Sequence, residues 1–359
     1  MWTSLRRAIL VVALVAVVAC GPGNTSSGTS GAAQPAAPAA TSGAATAPSG
    51  QVGATAGAPP APATIRYGQV TVTAMFWGLW AAESQGFMQA ENVTVEPTVF
   101  RVSSDSTRAL SSDSMDVAGG TATDSVVLAD EQGNADIVAV SGVLNKPTYS
   151  LITSPDVKAF TDLKGKTIAV SDLKDGSTIL LEQMLQMKGV QPNEYDMIQA
   201  GGTPDRYAAV KSGGAAAALL TQPADFKAES EGFNNLGLVS DLIPDYQFTV
   251  NAVRRSWAQQ NSDALVRFLR AYVAATRWAL TPAHREEALA LHMAATGLTR
   301  AQAEEDYAAI QPDATINVAG IQTILDLRTV LGFLQGPAPP IERLYDTRYW
   351  EAATGRRHP

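Results

Sequence analysis

The chain has 359 residues, enough for two medium-sized lobes with buried cores. It is 46% hydrophobic and 17% charged, with a formal net charge of −8. An acidic chain without a Lys/Arg stripe argues against nucleic acid as a partner, because phosphate neutralisation needs basic clusters. Its one cysteine, Cys20, excludes an intramolecular disulfide or a cysteine-built metal site, and only His284, His292 and His358 are available for a histidine-rich one. No metal, no cofactor and no catalytic set is expected.

Arg6 and Arg7 form a short basic start, and Ala8 to Val18 is an unbroken apolar run. That run is too short to cross a hydrocarbon core, which takes about 20 residues. A basic start, a short apolar stretch and a small residue make a secretory signal. The stretch closes Val17-Val18-Ala19-Cys20, which resembles the lipobox of bacterial lipoproteins. That resemblance implies lipidation of Cys20 as the mature N-terminus. Residues 1–20 are therefore expected to be a lipoprotein signal peptide, and the protein to be extracytoplasmic and lipid-anchored to the cell membrane. From Gly21 to Thr64 there is no charged residue, and Gly, Ala, Pro, Ser and Thr dominate. Such a segment lacks the apolar surface to offset its ordering entropy, so residues 21–64 are expected to be a disordered tether.

From Ile65 the composition changes. Val70 to Ala74 reads as a strand, Leu79 to Met88 as a helix closing at Gly86-Phe87, and Val93 to Val99 as an alternating strand. Arg101 to Ser112 is helix-like, Met115 to Ala118 is a short strand, Thr123 to Glu131 a helix and Ile137 to Ser141 a buried strand. This order predicts an α/β fold with a mostly parallel sheet. The pattern restarts near Tyr149. Ser150 to Ser154, Thr167 to Ser171, Tyr195 to Gln199 and Ala216 to Leu220 read as strands, and Ser177 to Lys188 and Asp205 to Ser212 as helices. A third block from about Asn251 reads as helical. Asp263 to Leu280 carries Leu265, Phe268, Leu269, Tyr272 and Val273 on one face; Thr281-Pro282 stops it, Thr299 with Gln302 spells a capping box, and Ala319 to Leu334 is the last long helix. The expected division is one lobe from residues 65–149 with 251–350, which brings the C-terminal helices, and a second from 150–250.

Several segments, in order, resemble one family. They are Trp80 to Phe87 (WAAESQGF), Met115 to Gly120 (MDVAGG), Asp162 to Val170 (DLKGKTIAV) and Gly176-Ser177-Thr178. Together they resemble the nitrate/sulfonate/taurine and thiamine-precursor group of periplasmic binding proteins, the SsuA/THI5-like group. The resemblance covers about Ile65 to Trp350. It implies a two-lobed periplasmic binding protein type II fold with the ligand cleft between the lobes. It implies a solute-binding component that delivers a small molecule to an ABC transporter permease with its ATPase.

In open α/β sheets ligands bind beyond the carboxyl ends of the strands. Four groups of residues are expected there. Phe76, Trp77 and Trp80 follow the first strand and offer rings to stack on a planar ligand. Gly120, Thr121 and Thr123 lead into a helix and offer close backbone approach and hydroxyls. Gly176, Ser177 and Thr178 do the same in the second lobe, at a helix N-terminus suited to an anion or a carbonyl. Thr203 and Gln222 are polar candidates, and Tyr149 and Tyr246, near the chain crossings, are placed to close over a ligand. Ordinary core packing and helix capping are the competing explanations for each. No Arg or Lys is placed at the ligand by these loops, so a multiply charged anion is not expected. A planar heterocycle, a pyrimidine or thiamine precursor, or a mono-anion such as a sulfonate fits better. Gly165-Lys166-Thr167 lacks the earlier glycine of a phosphate-binding loop, since that position is Phe160.

The expected mechanism is hinge closure on a bound small molecule by a monomer. A ligand-sensing domain for a membrane partner is an alternative. A pyrimidine synthase of the thiamine pathway, a third class, carries a cysteine-rich motif and a functional histidine. The body after Cys20 has no cysteine, and no histidine falls in the cleft loops.

Overall fold

A computed structural model of the chain describes residues 60–70, 73–308, 310–334 and 336–359. The expected signal segment, Cys20 and the tether up to residue 59 lie outside the described residues. Short apolar runs pair into two five-stranded sheets. The first contains β1 (Ala63–Val70), β2 (Val93–Phe100), β3 (Val117–Ala122), β4 (Ile137–Leu144) and β10 (Thr249–Arg254), in the order β2-β1-β3-β10-β4. The second contains β5 (Ser150–Thr153), β6 (Thr167–Val170), β7 (Asp196–Gln199), β8 (Ala217–Leu220) and β9 (Asn234–Leu238), in the order β7-β6-β8-β5-β9. Each sheet organises one lobe of a type II periplasmic binding protein fold.

Both sheets are mixed, not mostly parallel. β1 runs parallel to β2 and β3, and β6 parallel to β7 and β8. β10 is antiparallel to β3 and β4, and β5 to β8 and β9. The reversed strands are the ones next to the crossings. The chain leaves the first sheet after Leu144 to enter β5, and returns from β9 into β10.

Helices α1 (Trp77–Ser84), α2 (Phe87–Ala90), α3 (Ser103–Ser111) and α4 (Thr123–Glu131) belong to the first lobe. The second carries α5 (Gly176–Met187), α6 (Thr203–Lys211) and α7 (Ala224–Ser230). After β10 come α8 (Arg255–Gln260), α9 (Ser262–Leu280), α10 (Arg285–Thr296), α11 (Arg300–Tyr307), α12 (Val318–Val330) and α13 (Arg348–Thr354). The apolar stripe of α9 packs on α1, α2 and α13. Thr299 and Gln302 exchange hydrogen bonds as a capping box, which satisfies the free N–H groups that start α11.

In the first core, the Tyr67 ring meets Phe76 edge-on at 6.4 Å and Phe268 at 5.8 Å. Its hydroxyl donates to Asn251 Oδ1 at 2.9 Å, and Asn251 Nδ2 donates to Ser141 Oγ at 2.9 Å. This buried chain links β1, β10 and β4. A Cβ at Gly119 would lie 1.8 Å from the Tyr67 ring, so this glycine answers to core packing.

Three expected boundaries move. The first strand is Ala63–Val70, not Val70 to Ala74, because Ala63 through Val70 pair residue for residue with Val93 through Phe100. It also takes Ala63 and Thr64 from the expected tether. Gly119 to Ala122, expected as a turn, are the second half of β3, held there by pairing with β10 at Thr249 and Val250. The block expected to be helical from Asn251 opens with that strand, so Thr249 and Val250 belong to the first sheet.

Candidate functional site

The parallel strands of both sheets point their carboxyl ends at one cavity of about 70 Å³. Val70 and Met75 follow β1, Arg101 to Ser103 follow β2, and Gly120 and Ala122 end β3. From the second lobe come Ser171, Asp175, Gly176 and Ser177 after β6, Gly202, Thr203 and Arg206 after β7, and Thr221 after β8. Tyr149, Tyr246, Phe248 and Thr249, from the two crossings, close the wall.

Arg206 is 3% exposed. Its Nε donates to Leu219 O at 2.9 Å, Nη1 to Gly201 O at 2.9 Å and Nη2 to Thr203 Oγ1 at 3.1 Å. Its guanidinium lies over the Tyr149 ring, 5.8 Å from the centroid. These acceptors are neutral, and among the described residues no carboxylate pairs with Arg206. A buried cation without a counter-ion is costly, and an anion entering the cavity removes that cost.

Two buried hydroxyls also line the cavity. Tyr246 Oη and Thr249 Oγ1, on side chains 1% and 3% exposed, have no hydrogen-bond partner among the described residues. Orphaned buried hydroxyls at a cavity wall are donors awaiting an acceptor. Burial pushes both Tyr246 and Tyr149 above the ordinary phenol range, so both remain protonated donors at neutral pH.

Asp175, also on the cavity wall, is the N-cap of α5. It accepts from Thr178 N at 3.1 Å and Ser177 Oγ at 2.9 Å, and the Ser171 hydroxyl also donates to it. The start of this helix is therefore already served by a carboxylate. With Arg206 and Asp175 on the same wall, a negative group on a ligand is favoured beside the guanidinium and repelled beside the carboxylate.

The lobes touch on two sides of the cavity. Arg101, largely exposed on its outer side, forms an ion pair with Asp205 across the gap. A Cβ at Gly202 would lie 2.8 Å from Arg101 O, and one at Gly176 would lie 2.8 Å from Asp124 Cβ. Asp124 is immobilised by Arg328, whose Nη1 donates to it at 2.8 Å while Nη2 donates to Glu131 at 2.7 Å; Nη1 also reaches Lys174 O at 3.4 Å. Burial pushes Asp124 up to about 6, with Arg328 opposing.

Of the residues expected from sequence, Gly120, Tyr149, Gly176, Ser177, Thr203 and Tyr246 line this cavity. Gly120 has a φ of 59°, which favours glycine at the end of β3. The others lie elsewhere. Phe76 is sealed in the first core. Trp77, 1% exposed, stacks on His292 at 4.1 Å and 12°, and Trp80 leans on Phe76 and the same histidine. All three start or line α1, whose inward face is claimed by α9 and α10. Thr121 contacts Ser106 and Thr107, Thr123 donates to Phe248 O, and Thr178 Oγ1 donates to Asp172 O at 2.6 Å, so these hydroxyls serve local structure. Gln222 lines a neighbouring chamber. Arg206, Arg101 and Asp175 were not expected, and the expectation that no basic residue faces the cleft is overturned. Arg206 lies within the helix expected at Asp205 to Ser212, and Asp175 precedes the expected Gly176-Ser177-Thr178.

No histidine lines the cavity. His292 is buried with its Nε2 2.7 Å from Asp306. Among the described residues, no group of three or more His, Cys, Asp or Glu side chains is placed to hold a metal ion, and no helix is long and apolar enough to cross a membrane.

Residues 73–288 match the family described as NMT1/THI5 like. No curated protein matches the chain in sequence. Among solved structures, the ligand-binding component of an ABC-type import system from Staphylococcus aureus, with zinc bound, is similar with a TM-score of 0.70 at 17% identity, over 81% of this chain and 99% of that one. The nitrate-binding protein NrtA from Synechocystis PCC 6803 gives a TM-score of 0.69 at 15% identity, over 84% and 91%. The alkanesulfonate-binding protein SsuA from Xanthomonas axonopodis pv. citri, bound to MOPS, gives 0.67 at 18%, over 79% and 98%. At these identities the likeness is one of fold.

Proposed function

We propose, from the premise that the chain belongs to the NMT1/THI5-like family, that this protein is the lipid-anchored, extracytoplasmic solute-binding component of an ABC importer. Its ligand is a small organic mono-anion. The single observation that carries this is Arg206, a buried guanidinium held by neutral acceptors at the cavity wall, beside the unpartnered hydroxyls of Tyr246 and Thr249. A ligand that bridges these groups contacts both lobes at once. It therefore binds the closed arrangement better than an open one and shifts the population toward closure. The closed shape is what a permease reads, and ATP hydrolysis belongs to other chains.

The neighbouring structures support binding over catalysis, since those named are the ligand-binding component of an ABC-type import system, an alkanesulfonate-binding protein and a nitrate-binding protein. So does the placement of the histidines away from the cavity. The test is thermal unfolding of the purified protein against a panel of sulfonates, carboxylates, nitrate, sulfate, pyrimidines and vitamins. A ligand at 100 times its Kd adds about 2.7 kcal/mol of stability. Organic mono-anions are expected to raise Tm, and Arg206→Gln to abolish the rise. Stabilisation by an uncharged pyrimidine that survives Arg206→Gln would refute the anion assignment.

A further inference from the structure

Charge is buried where α4 of the first lobe meets the start of α5 of the second. Asp124 is buried there, its Cβ 2.8 Å from the place a Cβ would take at Gly176. One cation serves the junction. Arg328 of α12, also buried, donates to Asp124 Oδ1 at 2.8 Å and to the two oxygens of Glu131 at 2.8 and 2.7 Å. Its Nη1 also stands 3.4 Å from Lys174 O of the second lobe, and α12 packs on both α4 and α5. Asp175 brings a third carboxylate, near enough to act on Asp124. Three carboxylates thus share a single guanidinium. Asp124 Oδ2, buried, has no hydrogen-bond partner among the described residues. A buried carboxylate oxygen without a donor is costly while charged, and a proton removes that cost.

We propose that Asp124 is a proton-operated lock on the cleft: with its carboxyl protonated the lobes stay together, and with it ionised they part, so that acid favours closure. This rests on the lobe closure proposed above and adds its regulation.

The direction follows from the two environments. With the lobes together, burial pushes Asp124 from its ordinary 3.8 up to about 6; Arg328 opposes, and Asp175 and Glu131 assist. Parting the lobes takes Asp175 away and lets water reach Oδ2, which returns the carboxyl toward its ordinary range. A group that holds its proton more tightly in one state draws the equilibrium to that state as pH falls through the window. The other charged groups on the surrounding elements are engaged elsewhere. Asp105 and Arg108 of α3 pair with each other, Asp130 of α4 pairs with Arg343, and Arg254 at the end of β10 pairs with Asp113. Asp326 of α12 accepts from Gln322, Asp172 accepts from Gln199, Glu182 lies further along α5, and Lys174 is exposed. Tyr246, kept protonated by burial, is a neutral neighbour.

Cys20→Ser leaves the chain without cysteine. Spin labels at Ser112→Cys after α3 and Ser212→Cys after α6, both exposed, then report the distance between the lobes. Double electron–electron resonance on the ligand-free full chain is expected to show a closed-to-open ratio about 20-fold higher at pH 4.5 than at pH 7.5. Asp124→Asn keeps an acceptor for Arg328 without the charge, and is expected to hold the acid distribution at both pH values. Asp175→Asn, which still caps α5 but removes the like charge, is expected to shrink the change. A distribution that does not move with pH in the parent chain, or that moves equally in Asp124→Asn, overturns the lock. No ligand takes part, so the anion assignment stands or falls separately.

Discussion

Adding one carbon at Gly176 tests whether the lobes must meet for ligand to bind. Gly176 opens α5, immediately after its Asp175 N-cap, so alanine fits its backbone without strain. The new Cβ would lie 2.8 Å from Asp124 Cβ and 3.3 Å from Tyr246 Oη. Carbon atoms pack best at about 3.5–4.0 Å, so the overlap approaches 1 Å. Asp124 does not step aside, because Arg328 holds it and both are buried. The overlap is relieved by parting the lobes. Overpacking of this kind costs about 1–3 kcal/mol, charged to the closed state alone. Ligand affinity should therefore fall about 5- to 150-fold. An open, unliganded protein has no such contact, and replacing glycine in a helix gains up to about 1 kcal/mol. Gly176→Ala is thus expected to bind ligand more weakly while unfolding at an equal or higher temperature without it. Calorimetric titration and thermal unfolding of the same preparation give both quantities. Unchanged affinity, or a loss of affinity matched by an equal loss of unliganded stability, would refute the closure argument.

Trp77→Ala should lower stability by about 3–5 kcal/mol, because the ring is sealed between His292 and Tyr307. Ligand affinity of the folded protein should stay within about 2-fold, since Trp77 is not on the cavity wall. Burial pushes Asp225 from its ordinary 3.8 up to about 6. The folded state thus keeps a proton that the unfolded chain has released, so stability falls as pH rises through that window. The deficit is complete above about 6 and amounts to about 3 kcal/mol. Asp225→Asn should flatten this slope, read by urea unfolding at pH 4.5 and 7. Cys20→Ser should move the protein from the membrane fraction to the soluble one, and mass spectrometry of the native protein should show a diacylglyceryl-modified cysteine as its first residue.

The order of strands and helices was legible because each depends on neighbours a few positions away. The stripe of α9, the Thr299–Gln302 capping box and the helix at Thr123–Glu131 follow from local spacing. The strands at the crossings were harder. Thr249–Arg254 carries no long alternation, and it is a strand because β3 and β4 stand on either side with open edges. The glycine-rich turn expected after Ala118 became strand for the same reason.

The site divided along the same line. Gly120, Gly176, Ser177 and Thr203 were placed by one rule, that loops after parallel strands converge on ligand. The rings of Phe76, Trp77 and Trp80 obeyed the same rule in position but not in direction, since α9 and α10, joined to them only by folding, offered apolar surface on the other side. Sequence by itself determined the α/β alternation and the lack of cysteine after Cys20, both properties of composition and short-range period. Tertiary structure alone decided that Arg206, one charge among many on helix surfaces, is buried at the cavity wall. Its burial depends on Leu219, Gly201 and Tyr149, brought to it by a second sheet and a crossing, and no local pattern encodes that meeting.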